Sequence, residues 1–384
     1  MEISDLLRRM VEMGGSDLHL KVGGVPFVRV DGTLVPADFP ALGATDTESF
    51  ASDLLPPSKA GEFGDSHEAD FGYTLSGVGR FRVNVFRQRG FVGLAIRRVR
   101  AEIPSFEELM LPPVVRNLAD TPRGLVLVTG PTGTGKTTTI ASVVGHINRT
   151  RKAHIVTIED PIEVLHEDQR SIVDQREVGI DTMSYAAALR HVVRQDPDVI
   201  FIGEIRDAPS AEAAIQAAET GHFVISTLHT TDATETINRI LDMFPAQQQQ
   251  QVRVSLSSGL RGILSQRLLP RANGRGRVPA VEVLVNTGRV QERIIKAEST
   301  FEINDVISEG EFYGMQTFDQ ALVRLVMEGL VRDEDASEAS TNAHDFSLAL
   351  KSARLGAEAD RARNGADGPP APVAAGVPDA GFTA

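Results

Sequence analysis

Residues 124–140, GLVLVTGPTGTGKTTTI, restrict the fold more than any other part of this 384-residue chain. Leu125, Val126, Leu127 and Val128 form an unbroken apolar run, the mark of a strand buried on both faces. Gly130 to Thr137 then match G-x-x-x-x-G-K-[ST], and Thr138, Ile140, Ala141, Val143 and Val144 continue at helical spacing. Strand, glycine turn and helix in that order make a phosphate cradle. Gly133 and Gly135 let the backbone curl until successive amides face one anion. The positive end of the new helix dipole faces the same point. The expected cradle comprises Gly130, Pro131, Thr132, Gly133, Thr134, Gly135, Lys136, Thr137 and Thr138. Lys136 supplies a charge to the β- and γ-phosphates, and the Thr137 hydroxyl can ligate Mg²⁺.

A chain of this length is expected to hold two domains. It has no cysteine, which excludes disulfides and thiolate metal sites and suits a reducing compartment. No apolar run approaches the ~20 residues of a membrane span, and MEISDLLRRM has early acids and no long apolar core, unlike a signal peptide. A cytoplasmic protein with no direct membrane span is expected. The formal charge of −13 disfavours nucleic acid as a partner. The absence of Trp and the three Tyr weaken base stacking further.

Ile3, Leu6, Leu7, Met10 and Val11 predict a short amphipathic helix ended by Gly14-Gly15. Strand patterns follow at 16–20 and 26–30, with Asp31-Gly32 as a hairpin turn into Leu34-Val35. Three more strands are expected at 69–75, 79–86 and 92–99, so residues 1–100 read as a small α+β domain with an antiparallel sheet. Phe81, Val83 and Val85 share one face of their strand, and Arg80, Arg82 and Asn84 the other. The polar face fits either a solvated surface, which exposed arginines usually form, or a basic surface offered to a nucleotide. The prolines within 101–122 predict a linker, with a short helix from Phe106 to Leu109 and onward.

Strands then alternate with helices, the signature of a mainly parallel sheet. The strand at 154–158 ends in Glu159-Asp160, where open α/β sheets collect ligands. Those acids suit a magnesium shell or a water, or else cap the element before Pro161. The strand at 198–202 is followed by Gly203-Glu204, an acid placed to polarise a water or to hold Mg²⁺ through water. His222 precedes and His229 follows the strand at 223–227; His229 is either a phosphate or subunit sensor or a structural residue. Val252, Leu256, Leu260, Ile263 and Leu264 fall on one helical face. The loop 271–277 with its three arginines suits solvent better than an acidic partner. From about 355 on, Ala, Gly and Pro without periodicity predict disorder.

The phosphate loop, IVTIEDPIE (155–163), LRHVVRQDPDVIFIGEIRD (189–207) and AAETGHFVISTLHTTDA (217–233) resemble the four boxes of the secretion-superfamily ATPases. GGSDLHL, FVRVDG and GRFRVNVF near the N-terminus, and GMQTFDQAL at 314–322, resemble the PilT-type pilus retraction ATPases in particular. The likeness covers residues 1 to about 345. It implies an α/β protein with a PAS-like α+β domain at 1–100, a linker at 101–122, a RecA-like ATPase domain at 123–350 and a disordered tail at 355–384. It further implies ATP and Mg²⁺ bound between the two domains, with Thr137, Glu159 and Glu204 at the metal. Glu204 would be the catalytic acid, Glu159 the second candidate, and His222 and His229 the family's His box. Arg80, Arg82 and Arg97 would reach the phosphates, with Arg190, Arg194 and Arg206 as further candidates. Six chains would form a ring at the inner face of the cytoplasmic membrane. Hydrolysis would close and open the domain cleft, with 101–122 as hinge, and work on the inner-membrane platform protein of a type IV pilus. Extension and secretion ATPases usually carry a four-cysteine zinc motif and a longer N-terminal region, so this chain falls on the retraction side. The family's AIRNLIRE segment, tied to retraction, is replaced by TGRVQERIIK at 287–296. The rival functions are an extension or secretion ATPase, a non-catalytic nucleotide-binding ring subunit, and a DNA translocase, the last disfavoured by the acidic balance.

Overall fold

The computed structural model describes residues 1–30, 32–99 and 103–363. Asp31 of the expected hairpin turn and the expected tail beyond 363 lie outside the described residues. The strands, in chain order, are Asp17–Leu20 (β1), Phe27–Val30 (β2), Thr33–Pro36 (β3), Glu68–Leu75 (β4), Gly79–Gln88 (β5), Phe91–Arg98 (β6) and Gly124–Thr129 (β7). They continue as His154–Glu159 (β8), Ile172–Glu177 (β9), Val199–Ile202 (β10), Phe223–Leu228 (β11), Leu260–Pro270 (β12) and Arg277–Val285 (β13). The described residues divide into two compact units, Met1–Ile103 with Val144–Glu204, and Pro104–Val143 with the described residues from Ile205.

In the first unit β3-β2-β1-β6-β5-β4 form an antiparallel sheet. The two-residue period does what the sequence predicts: Phe81, Val83 and Val85 are buried while Arg80, Arg82 and Asn84 stay partly exposed. The buried face packs on Ile3, Leu6, Leu7 and Met10 of the helix Ile3–Glu12 and on Phe50 and Leu54 of the helix Ala44–Leu54. The same unit holds β10-β8-β9, all parallel, with Ile202 opposite Ile158 and Glu177 opposite Glu159.

Glu177 ties the two sheets of this unit together. Its carboxylate accepts the Gly72 amide of β4 at 2.9 Å and the Ile162 amide at 3.1 Å, and pairs with the Arg80 guanidinium of β5. A Cβ at Gly72 would crowd the Arg80 guanidinium and lie 2.7 Å from Glu177 Oε2, so a side chain there would push the pair aside. The Glu177 side chain is 2% exposed and that of Arg80 14%. Removing one partner leaves a buried charge uncompensated.

In the second unit β7 lies between β11 and β12, parallel to both, and β13 closes the edge antiparallel to β12. Two expectations change here. The helix Ala246–Gly259 ends where the helical face was expected to continue, and Leu260, Ile263 and Leu264 are strand residues of β12. Spacings of three and four cannot separate the two states here; pairing with β7 on one side and β13 on the other decides for strand. Residues 106–110 are turns, and the linker helix is Val114–Ala119, entered from Pro112-Pro113, which suit a helix start. A third change lies near the C-terminus. The helix Ala343–Arg363 runs through 355–363, which were expected to be disordered. Alanine and the long straight side chains of that stretch favour helix. Among the described residues no helix is long and apolar enough to cross a membrane.

Glu177→Ala is expected to lower the unfolding free energy by about 3 kcal/mol or more. Urea titration followed by circular dichroism measures it, and a loss within the ~0.5 kcal/mol of an ordinary surface change would remove the clasp.

Candidate nucleotide site

The cradle stands at the end of β7, all six residues of which are buried. Gly130, Gly133 and Gly135 have φ of 142°, 84° and 90°, open to glycine and strained for other residues. At Gly130 a Cβ would also meet Gln266 O at 2.5 Å. The loop therefore turns sharply before the helix Lys136–Thr150 begins. Lys136 is 9% exposed, and its ammonium donates to Gly130 O at 2.7 Å and Pro131 O at 3.0 Å. It is thus held across the mouth of its own loop. Thr137 is exposed in the first turn and Thr138 is partly exposed. Thr134 Oγ1 donates to Pro131 O at 2.9 Å and stiffens the turn.

The acids belong to the first unit. Glu159, the last residue of β8, is 6% exposed and accepts the Thr157 hydroxyl at 2.6 Å and the Gln175 amide at 3.1 Å. Burial pushes its carboxyl up from 4.5 to about 7, opposed by those two hydrogen bonds. An acid with that value can hold or release a proton near neutral pH. Gly203 follows β10 and donates to Ile158 O at 2.8 Å; a Cβ on it would stand 3.4 Å from Glu159 Cα. That close approach brings Glu204 to the same strand ends as Glu159.

The three N-terminal arginines each hold an acid. Arg80 is on Glu177, Arg82 lies 3.5 Å from Asp70 and 3.9 Å from Glu163, and Arg97 donates to Asp17 at 2.8 Å. Arg190 and Arg194 donate to backbone carbonyls of their own turn. His222 Nδ1 lies 2.9 Å from Ala217 O at the end of the helix Ala208–Glu219, a local cap. His229 is exposed just beyond β11.

Sequence reasoning overlooked four residues near these groups. Arg277 reaches Gly133 O at 3.4 Å, although its loop was expected to face solvent. Gln266 donates to Thr139 in the helix behind the cradle at 2.9 Å. Gln175 and Glu177 organise the strand ends of the first unit. Glu177 ends β9 directly opposite Glu159, a position the topology reveals; none of the four carried a local signal in the sequence.

A buried strand, a glycine loop over a lysine and a helix, flanked by parallel strands, define a phosphate-loop nucleotide-binding protein of the RecA-like kind. Residues 105–351 match the family described as Type II/IV secretion system protein. The chain is 42% identical over 360 residues to the type IV pilus ATPase PilU of Pseudomonas aeruginosa, covering 94% of this chain and 93% of that one. It is 41% identical over 346 residues to the type IV pilus retraction ATPase PilT of the same organism, covering 90% and 100%. The crystal structure of the pilus retraction motor PilT with bound ADP matches with a TM-score of 0.82 and 46% identity, covering 90% and 98%. The chain belongs to the type II/IV secretion system protein family.

The raised Glu159 value has a sign in stability. The folded state favours the neutral acid, so its contribution is full below about 4.5 and is lost as pH rises through about 7. From pH 5 to pH 8 the wild type should therefore lose stability relative to Glu159→Gln, on the order of 2–3 kcal/mol. Urea unfolding of both proteins at both pH values reads this, and parallel pH slopes would contradict it.

Proposed function

We propose that this protein is an ATP-hydrolysing ring motor that drives retraction of a type IV pilus. One observation carries it: a complete phosphate loop, with glycines at positive φ and Lys136 across its mouth, in a chain similar along nine-tenths of its length to PilT. The residues fit ATP with Mg²⁺. The loop amides and Lys136 would hold the phosphates, and Thr137 the metal. Glu204 would act as the catalytic acid or water-orienting group, with Glu159 beside it. The domain scheme of a PAS-like part at 1–100, a hinge at 101–122 and an ATPase part at 123–350 supplies the moving pieces. Closure on ATP and opening after hydrolysis would drive the stroke. Six such chains would form the ring, at the inner face of the cytoplasmic membrane, against the pilus platform protein.

Arginines from the N-terminal part would stabilise charge developing on the transferred phosphoryl group. Arg82 and Arg97 suit this best, because their acids hold them at exposed positions, with 40% and 71% of their side chains open. Exposed pairs are worth little and exchange cheaply, whereas Arg80 would have to abandon the buried Glu177.

A second reading has an observation in its favour. PilU is named a pilus ATPase with no direction of force, and residues 287–296 depart from the retraction segment. An extension or secretion motor, or a nucleotide-binding ring subunit with little turnover, is separated from a retraction motor by a deletion strain. Abundant pili without twitching support retraction.

Lys136→Ala should abolish turnover, and Glu204→Gln should bind ATP while hydrolysing it at least 100-fold more slowly, by the ordinary worth of a positioned acid or base. Steady-state ATPase assays with light scattering test this together with a six-chain mass. Unchanged turnover in both variants would overturn the site assignment.

A further inference from the structure

Glu282 lies in the middle of β13, 4% exposed, in a stretch that is otherwise apolar. Its carboxylate accepts the Ala233 amide at 2.8 Å, the first residue of the helix Ala233–Asp242. Ser265 on β12 stands directly beside it as its cross-strand partner, and its hydroxyl favours the charged carboxylate. Ser265 in turn accepts the hydroxyl of Thr129 at 3.0 Å. Thr129 is the last residue of β7, directly before Gly130. A row of adjoining polar groups therefore runs from the start of the phosphate loop to the start of the helix that follows His229.

The His229 loop is fastened to that helix. Glu235 accepts both the amide and the hydroxyl of Thr231, each at 2.7 Å. The Thr230 and Thr236 hydroxyls lie 2.6 Å apart, and Asp232 caps the Glu235 amide at 2.8 Å. Whatever fixes Ala233 fixes residues 230–232 with it.

We propose that Glu282 is a positioning residue: through Ser265 and Thr129 on one side and the Ala233 amide on the other, it holds the phosphate loop and the His229 loop in one register. This rests on the nucleotide site argued above and extends it to a residue that touches no nucleotide.

The direction of donation matters. Thr129 donates to Ser265, which leaves the Ser265 proton to face the Glu282 carboxylate, an acceptor when ionised. Protonation turns one oxygen into a donor and removes the charge that strengthens both contacts. Burial raises the Glu282 acid to about 7, reinforced by Asp232 at the helix start and opposed by the Ala233 amide, Arg267 and Ser265. Arg267 on β12 is itself engaged, 3.9 Å over the Phe318 ring and bonded to Ala339 O. Thr234, Glu235, Asn238, Asn304 and Thr341 complete the polar lining of the adjoining cavity of about 460 Å³. The link is thus stronger above neutral pH than below it.

The test uses the full chain as wild type, Ser265→Ala, Glu282→Gln and the double variant. It measures turnover across pH 6–8.5, ADP affinity, and amide hydrogen exchange at 130–137 and 229–236. Each single variant should lower kcat about 5–10-fold with KM within about twofold, the pattern of lost positioning. The double variant should be no slower than either single one. Glu159 titrates in the same range, so the pH arm is the difference between wild type and Glu282→Gln, which should lack one inflection near 7. Exchange should quicken at both loops in either single variant. Additive losses, or exchange that quickens only beside the changed residue, overturn the proposal. Should Glu282→Gln not fold, Ser265→Ala keeps the carboxylate and decides by exchange at both loops. Should the wild type not turn over ATP, the catalytic reading fails by itself, and ADP affinity and exchange still judge the link.

Discussion

Burial of β7 on both faces and along both edges fixes where a phosphate can sit. Parallel neighbours take up its amides and carbonyls from Gly124 to Thr129, so the strand has no freedom to slide. A shift of one residue would turn its side chains to the opposite faces. Leu125, Val126, Leu127 and Val128 are each at most 2% exposed, and each such burial is worth about 1.5–3 kcal/mol. The strand end is therefore a rigid post, and the glycine loop begins at the one point where the backbone leaves the sheet. Lys136 can lie across that loop because the helix behind it is anchored to β12 through Thr139 and Gln266.

The first unit solves a different problem, fastening an antiparallel sheet to the end of a parallel one. Glu177 does this with three donors on one carboxylate, two of them amides from separate elements. The amide of Gly72 reaches it only because no side chain intervenes. Arg80 is thereby used for structure, and Arg82 and Arg97, on neighbouring strands β5 and β6, retain partners that water already weakens.

The parts of this arrangement written in local pattern were legible in the sequence. Apolar runs gave the buried strands, alternation gave the face of β5, and glycine spacing gave the cradle. Acids at strand ends stood out because sheet topology gathers such ends together. What was not legible depends on partners far apart in the chain. Arg80 and Glu177 are separated by 97 positions, Thr129 and Ser265 by 136, and neither residue type announces its partner. The helix-to-strand change at Leu260 was hidden for a related reason. Its apolar spacing satisfies both periods, and only the strands on either side choose between them.

Three buried glutamates show how donor type decides what such a residue does. Glu177 faces a guanidinium and amides, and a cation with fixed donors offsets the cost of burying its charge. Glu159 and Glu282 are offered only neutral hydroxyls and amides, with the nearest guanidinium at Glu282 occupied by an aromatic ring and a carbonyl. Neutral donors recover part of the lost hydration and no more, so both acids move to about 7. A purely structural carboxylate gains nothing from that value. At Glu159, beside the strand ends, it suits proton movement during turnover. At Glu282, away from the strand ends, it puts an acid that titrates near neutral pH beside the two loops.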